Sequence, residues 1–231
     1  MRAETLRTLS WHALFLCVVL GLWEWGARAG WVDPSFMGSP LGIIQFTLEN
    51  LTNVRLWGDL GYTLLAVFAS FVIGSIAAMI TGLAFVTWPK FEAFCDPYIS
   101  AFNVLPRIAL VPLFILWFGL GIGSKIALGV SLTFFIVLSS TVAGIRGVSQ
   151  DHVTLTRTRG ASSRQMFFSV TLPGAVPVLF SGLRLGVIYA LLGVVGAEVI
   201  ASERGLGQQL AYLGSTFNVN GVWSLLFDLA L

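Results

Sequence analysis

Residues 60–86, LGYTLLAVFASFVIGSIAAMITGLAFV, form an uncharged apolar stretch that is rich in glycine, alanine and serine. A helix needs roughly 20 predominantly apolar residues to cross a hydrocarbon core about 30 Å thick. The stretch meets that requirement, and its small residues let neighbouring membrane helices approach closely. It therefore predicts a transmembrane helix that packs against other helices.

The composition of the whole chain also indicates an all-α integral membrane protein. Hydrophobic residues make up 56% of the sequence and charged residues only 10%, whereas globular domains are about 25% charged. The formal net charge of +2 gives no argument for a nucleic-acid partner. Cys17 and Cys95 lie in apolar surroundings without metal-ligand or redox spacing, so neither a disulfide framework nor a metal site is predicted.

Further segments long enough to span a bilayer are residues 13–29, 91–118, 125–145 and 178–200. The first resembles a signal peptide, because Arg2 and Arg7 precede it and Ala27-Arg28-Ala29 has the form of a cleavage site. Its spanning length, and the spans that follow it, favour a retained transmembrane helix.

Two shorter segments complete the outline. Residues 41–51 are predicted to form an amphipathic helix at the membrane interface. A sixth apolar run starts near Val222 and is too short to cross a bilayer before the sequence stops. We therefore expect either a truncated sequence or an incomplete last helix.

The third apolar segment, residues 91–118, contains Pro97, Pro106 and Pro112. Proline removes a backbone donor and clashes with the preceding helical turn, so this segment should be kinked or broken. Irregular backbone at membrane depth is tolerated only where it is buried in protein or lines a cavity.

The longest polar interruption is residues 150–177, QDHVTLTRTRGASSRQMFFSVTLPGAVP, which has no acidic residue after Asp151. Lysine and arginine are more frequent on the side of the membrane that holds the N-terminus, which predicts a cytoplasmic N-terminus and a cytoplasmic loop. From the residues alone, its arginines could equally bind anionic lipid headgroups or dock a partner protein. The sequence lacks GxxxxGK[ST], so the chain has no P-loop of its own.

Local signals in this loop predict two short helices. Residues 152–159 can form about two helical turns, Gly160 permits a chain reversal, and Ser162 can cap the next helix. The second helix would place Met166, Phe167 and Val170 on an apolar face toward the membrane domain.

Polar residues inside spans are costly and are therefore functional candidates. Arg107 could hold an anionic substrate, or it could pair with Glu24 or with the carbonyls of another helix. Glu198 could form a gate contact or reach interfacial water, and Glu24 and Arg184 are expected near helix ends, snorkelling or paired.

The remaining candidates have equally open alternatives. Ser139, Ser140 and Thr141 could line a pathway or bond back to their own helix, and Tyr189 could face a lumen or pack. The residues predicted to line a translocation pathway are Asn103, Pro106, Arg107, Ser140, Thr141, Tyr189 and Glu198.

Several ordered motifs resemble the permease subunits of ABC importers. They are Arg157-Thr158-Arg159-Gly160-Ala161-Ser162, Phe167, Val170, Leu172-Pro173, Pro177 and Gly182-Leu183-Arg184. Residues 105–113 (LPRIALVPL), residues 117–121 (WFGLG), Ala197-Glu198 and Gly205-Leu206-Gly207 are similar to the nitrate/sulfonate/taurine-type subfamily. Thr154-Leu155-Thr156 stands where that family usually has Glu-Ala-Ala, which leaves the loop more basic.

The resemblance implies a type I importer-like bundle of about six transmembrane helices, one permease domain over residues 1–231. It implies a multi-pass protein of the bacterial inner membrane that acts as a homodimer with two ABC ATPase subunits and a periplasmic or lipid-anchored binding protein. The ATPases would bind ATP and Mg, with no cofactor in this chain, which would itself be no enzyme. The residues implied in ATPase coupling are Thr154, Leu155, Thr156, Arg157, Arg159, Gly160, Ala161, Ser162, Arg164 and Phe167.

The implied substrate is a small anion such as a sulfonate, taurine or nitrate. Thiamine-precursor pyrimidines, riboflavin-like molecules and aromatic acids are the alternatives within the resemblance. A secondary transporter or channel would instead have inverted repeats and acid or histidine relays in its spans. A membrane-embedded enzyme would need a catalytic set. The sequence shows no inverted repeats, no such relays and no catalytic set.

Overall fold

The computed structural model describes residues 2–31, 33–149, 155–156, 158 and 160–230, which contain helices and no strand. The helices are α1 (Arg2–Arg28), α2 (Pro34–Met37), α3 (Pro40–Asn50), α4 (Val54–Thr87), α5 (Pro89–Val104), α6 (Val111–Phe118), α7 (Ile122–Arg146), α8 (Ser163–Met166), α9 (Leu172–Ile200), α10 (Leu206–Ser215) and α11 (Val219–Ala230). A 3₁₀ turn at Arg107–Leu110 precedes α6, and a π-helical turn at Phe167–Thr171 joins α8 to α9.

The predicted spans are confirmed as helices. In the described part of the chain, Arg7–Arg28, Val54–Thr87, Ile122–Arg146 and Arg164–Ile200 are each long and apolar enough to cross a membrane. The bent pair α5 and α6 adds a fifth span if it is counted as one. The last helix, α11, is apolar but has only 12 residues.

The break in the third segment is also confirmed. The helix directions before and after it differ by 88°. Pro97 lies inside α5 without ending it, whereas Leu105 and Pro106 adopt extended backbone conformations and end α5. Pro112 falls in the first turn of α6, where its missing N–H has no intrahelical partner to lose.

The described chain divides into two compact units. One comprises Met1–Asp59 with Gln208–Leu231, and the other comprises Leu60–Gly207. A single permease domain over residues 1–231 stays a prediction.

In the unit Leu60–Gly207, α4, α7 and α9 form the core. Ala66 and Val67 of α4 pack with Ala190 and Val194 of α9. The backbones of α7 and α9 approach so closely that a Cβ on Gly193 would lie 2.9 Å from the Cα of Gly129. Small residues therefore allow these membrane-length helices to pack.

In the other unit, α3 packs against α11. The hydroxyls of Thr47 and Ser224 are 2.8 Å apart, and the Ser39 N–H donates to the Asn220 side-chain oxygen over 2.8 Å. These contacts fix the chain entering α3 to the helix that comes last in the sequence.

Candidate functional site

The loop that joins α7 to α9 is described only in part. Thr154, Arg157 and Arg159, predicted for ATPase coupling, lie outside the described residues. Leu155 is exposed, and the Thr158 hydroxyl donates to the Leu155 carbonyl over 2.9 Å. Gly160 has a φ of 81°, a left-handed conformation that favours glycine. The conformation suits the predicted chain reversal, which stays a prediction because most of the helix predicted at residues 152–159 lies outside the described residues.

Ser162 caps the helix that follows, as its position predicted. The Gln165 N–H donates to the Ser162 hydroxyl over 3.3 Å, and the Ser162 N–H donates to the Gln165 side-chain oxygen over 2.9 Å. This reciprocal pair is a capping box, which satisfies two backbone donors at the start of a helix. Arg164, between them, is exposed.

The three side chains of the predicted apolar face after Ser162 are partly buried, and its direction toward the membrane domain stays a prediction. Met166, Phe167 and Val170 are half-buried, while Phe168 is exposed. Within the Phe167–Thr171 turn the backbone has π-helical geometry, a type of irregularity that is frequent at functional sites. The face therefore continues from the capped helix into α9.

The broken third segment carries Arg107 in its 3₁₀ turn. The Arg107 Nη2 donates to the Asn103 side-chain oxygen over 2.6 Å and approaches the Asn103 carbonyl at 3.4 Å. The guanidinium carbon lies 4.1 Å from the centroid of the Phe135 ring on α7. Pro106, beside it, is exposed.

The alternative that Arg107 pairs with Glu24 joins the two compact units and stays a prediction. The Glu24 carboxylate accepts from Arg28 over 2.7 Å and from the Leu41 N–H over 3.1 Å. These two neighbours hold Glu24 at the end of α1, which agrees with the expectation that it is paired there.

Ser140 and Thr141 bond back to their own helix. The Ser140 hydroxyl donates to the Ile136 carbonyl over 2.9 Å, and that of Thr141 donates to the Val137 carbonyl over 2.7 Å. Thr141 is buried and Ser140 half-buried. Their role in a pathway stays a prediction, as does that of Tyr189, which is 37% exposed.

Glu198 holds a glycine-rich turn in place. Its side chain is buried, and the Thr63 hydroxyl lies 3.0 Å from both carboxylate oxygens. The Gly207 N–H donates to the carboxylate over 2.9 Å, and the Leu206 N–H donates to the Thr63 hydroxyl over 2.9 Å. The alternative that Glu198 reaches interfacial water is wrong, because Thr63 and the 206–207 backbone enclose the carboxylate.

Sequence reasoning missed two members of this group, Thr63 and Lys125. Lys125 is buried, its ammonium donates to the Leu120 carbonyl, and it interacts electrostatically with Glu198. The available signal was a lysine at the start of an apolar segment and a threonine inside the longest uncharged stretch. A buried charge is costly unless it has hydrogen-bond partners, and both the Lys125 ammonium and the Glu198 carboxylate have them.

Arg184 does not lie near a helix end, contrary to expectation. Because Pro173 is tolerated in the first turn, α9 begins at Leu172, and this places Arg184 well inside the helix. It is exposed and lines a cavity with Phe180 and Ser181.

Several membrane-length helices, one of them broken, define a polytopic α-helical membrane protein. Residues 70–231 match the family of the binding-protein-dependent transport system inner membrane component, and the chain belongs to this family. It is thus a multi-pass inner-membrane permease component of ABC transporters and not their catalytic subunit.

Named relatives carry different cargoes. The formylaminopyrimidine transport permease protein ThiX of Halalkalibacterium halodurans is 30% identical, over 94% of this chain and 86% of its own. The taurine transport system permease protein TauC of Escherichia coli is 33% identical, over 83% and 72%. The riboflavin transport system permease protein RibX of Chloroflexus aurantiacus is 32% identical, over 100% and 87%.

A solved structure shows the same fold. A chain of the MetNI methionine ABC transporter in an inward-facing conformation matches with a TM-score of 0.66 at 19% identity, over 76% of this chain and 88% of that one. This match confirms the type I importer-like bundle, and at this identity it supports the fold alone.

Proposed function

We propose that the chain forms half of the membrane pathway of an ATP-driven importer. Two copies would associate with two separate ATPase subunits, which bind ATP and Mg, and with a substrate-binding protein outside the cell. The N-terminus and the loop at residues 150–177 would lie in the cytoplasm. The family match carries this proposal, since a binding-protein-dependent permease needs both an energy source and a delivery protein.

The loop has the form that docking to an ATPase requires. Gly160 has the left-handed conformation of a turn, and the capping box of Ser162 and Gln165 then starts a new helix that runs through the π-helical turn into α9. Exposed Leu155 offers an apolar contact, and exposed Arg164 a basic one. Movement of a bound ATPase would therefore reach a membrane-length helix directly.

The proposed cargo is a small anion such as a sulfonate, taurine or nitrate. The relatives named for taurine and for aliphatic sulfonates support this choice. Those named for a formylaminopyrimidine and for riboflavin support the alternatives of a thiamine-precursor pyrimidine or a riboflavin-like molecule. Binding assays on the partner binding protein, with these molecules in competition, would separate the cargoes.

The residues proposed to line the pathway face different surroundings. Arg107, Asn103 and Tyr189 are accessible in part, whereas Thr141 and Glu198 are buried. We therefore assign cargo contact to the accessible set. Thr141 and Glu198, which are buried, would stabilise the helices that form the pathway.

Co-purification tests the proposal. The tagged chain is co-expressed with the ATPase and binding protein of its own organism, and the complex is reconstituted in liposomes. We expect the ATPase to co-purify and the binding protein to stimulate ATP hydrolysis. Failure of any ATPase to associate, or uptake that is independent of nucleotide, would refute the role.

A matched pair of variants localises the docking surface. Leu155→Asp places a charge on the exposed apolar residue of the loop and should reduce ATPase recovery. Leu51→Asp makes the same change at an exposed leucine in the turn between α3 and α4 and should not. Equal recovery with both variants would remove Leu155 from the docking surface.

A further inference from the structure

Arg107 is a half-buried charge in the unit Leu60–Gly207. It lies in a break between two apolar helices, where the backbone is neither α5 nor α6. A charged residue in such a segment is costly unless it is paired or faces a polar cavity. Irregular backbone within a membrane is likewise expected only where it is buried or lines a cavity.

Three arginines among the described residues form ion pairs: Arg28 with Glu24, Arg55 with Asp59 and Arg146 with Glu92. No carboxylate among the described residues lies within ion-pairing distance of Arg107. Its charge is therefore balanced by nothing in this part of the chain.

Arg107 has ordered neighbours on more than one element. Three elements meet there, since the 3₁₀ turn packs against both α7 and α9. On one side of the guanidinium, the Asn103 side-chain oxygen lies 2.6 Å from Nη2, and the centroid of the Phe135 ring lies 4.1 Å from the guanidinium carbon. The neighbouring helix α9 carries Tyr189, whose side chain is partly accessible.

Arg107 also keeps hydrogen-bonding capacity. A guanidinium has five N–H donors, and the contacts to Asn103 use those of Nη2 alone. The remaining donors form the planar fork that binds carboxylates and other oxyanions. A half-buried cation with free donors, fixed from one side, is suited to an anion arriving from the other.

We propose that Arg107, with Asn103, Phe135 and Tyr189, forms a binding site for the oxyanion group of a small solute inside the permease. The site rests on the proposed importer function and deepens it, because it makes the membrane subunit itself selective for negative charge. Arg107 supplies the charge and the fork. Asn103 and Phe135 orient it, and the Tyr189 hydroxyl is the candidate second donor.

The test uses the permease–ATPase complex in nanodiscs of zwitterionic phosphatidylcholine. The probe is methanesulfonate, followed by saturation-transfer difference NMR of its methyl protons, and dimethyl sulfone is its neutral counterpart. We expect wild type to bind methanesulfonate but not dimethyl sulfone. Arg107→Gln should weaken binding about tenfold or more, since the charge-assisted hydrogen bonds of the guanidinium to the anion are lost. The affinity of Arg107→Lys, in which the charge is kept, for methanesulfonate should lie between those of wild type and Arg107→Gln.

Three results would overturn the site. One is methanesulfonate binding that is equal in wild type and Arg107→Gln. Another is binding lost in Arg184→Gln and kept in Arg107→Gln, which would assign the anion to the other arginine. The third is displacement of methanesulfonate by phosphatidylglycerol in the nanodisc, which would make a lipid headgroup the occupant.

The same preparations separate this inference from the importer role. Lys90→Gln removes an exposed cation at the start of α5 and should leave methanesulfonate binding unchanged. ATPase recovery and stimulated ATP hydrolysis are measured for each variant. If wild type shows neither ATPase recovery nor stimulated ATP hydrolysis, the importer role is refuted. If they persist in Arg107→Gln together with full methanesulfonate binding, only the anion site falls.

Discussion

Replacement of Gly207 by alanine tests the anchor around Glu198. A Cβ at this position would lie 2.5 Å from the Glu198 Cβ and 2.6 Å from the Val195 carbonyl oxygen. Neither neighbour is the end of a flexible side chain, so rotamer changes cannot relieve the overlap. The backbone must shift, and the shift lengthens the 2.9 Å hydrogen bond from the Gly207 N–H to the carboxylate.

The expected cost combines overpacking, about 1–3 kcal/mol, with a weakened charged hydrogen bond, up to about 1.5–3 kcal/mol if it is lost. At about 2–4 °C per kcal/mol for a chain of this size, losing the bond as well should lower the thermal midpoint by about 5–24 °C. The assay is thermal unfolding of the detergent-solubilised protein, read by size-exclusion recovery.

The matched control is Gly61→Ala. Gly61 lies on α4 close to Thr63, and a Cβ there would meet nothing within 4 Å. Alanine favours helices over glycine by about 1 kcal/mol, so this variant should keep or slightly raise the midpoint. If Gly207→Ala unfolds at the same temperature as Gly61→Ala, the close approach at Glu198 does not hold the turn, and our argument is wrong.

Three further predictions concern the loop and its neighbours. Gly160→Val should abolish binding-protein-stimulated ATP hydrolysis with membrane insertion intact, because valine disfavours a φ of 81°. Gly160→Asn should retain more of this activity. Equal stimulation in both variants would show that the turn at Gly160 does not couple the ATPase to the permease. Ser162→Ala should lower stability by about 1 kcal/mol and weaken ATPase recovery, with Gln165→Ala adding little to it, as a double-mutant cycle of the capping box would report. Arg146→Gln should cost under about 1 kcal/mol, since its pair with Glu92 is partly exposed, and its effect should shrink at high salt; a salt-independent loss would contradict this.

The broken helix shows what proline content can and cannot predict. Pro97, Pro106 and Pro112 together correctly predicted an interruption, yet only Pro106 lies at it. Pro97 is accommodated inside α5 and Pro112 starts α6. Which proline breaks a helix depends on whether neighbours satisfy the freed carbonyls, and that information is not in the local sequence.

The site residues illustrate the same limit over longer separations. The capping box was predictable, because Ser162 and Gln165 are three residues apart. The Glu198 anchor was not, because its hydroxyl partner, Thr63, is 135 residues away in the chain. Arg184 was misplaced because the start of α9 was predicted too late. Pairings across helices are decided by packing, which a single sequence does not record.

The helical segment Arg164–Ile200 connects the capping box of the loop to the turn held by Glu198. It has 37 residues, which corresponds to about 55 Å at 1.5 Å per residue, well over the thickness of the hydrocarbon core. The capping box lies at one end and Glu198 near the other. A rotation imposed at the capped end would therefore be passed along the helical segment. Near the other end the Glu198 carboxylate accepts the Gly207 N–H, so a rotation that reached Glu198 would alter the Gly205–Gly207 turn.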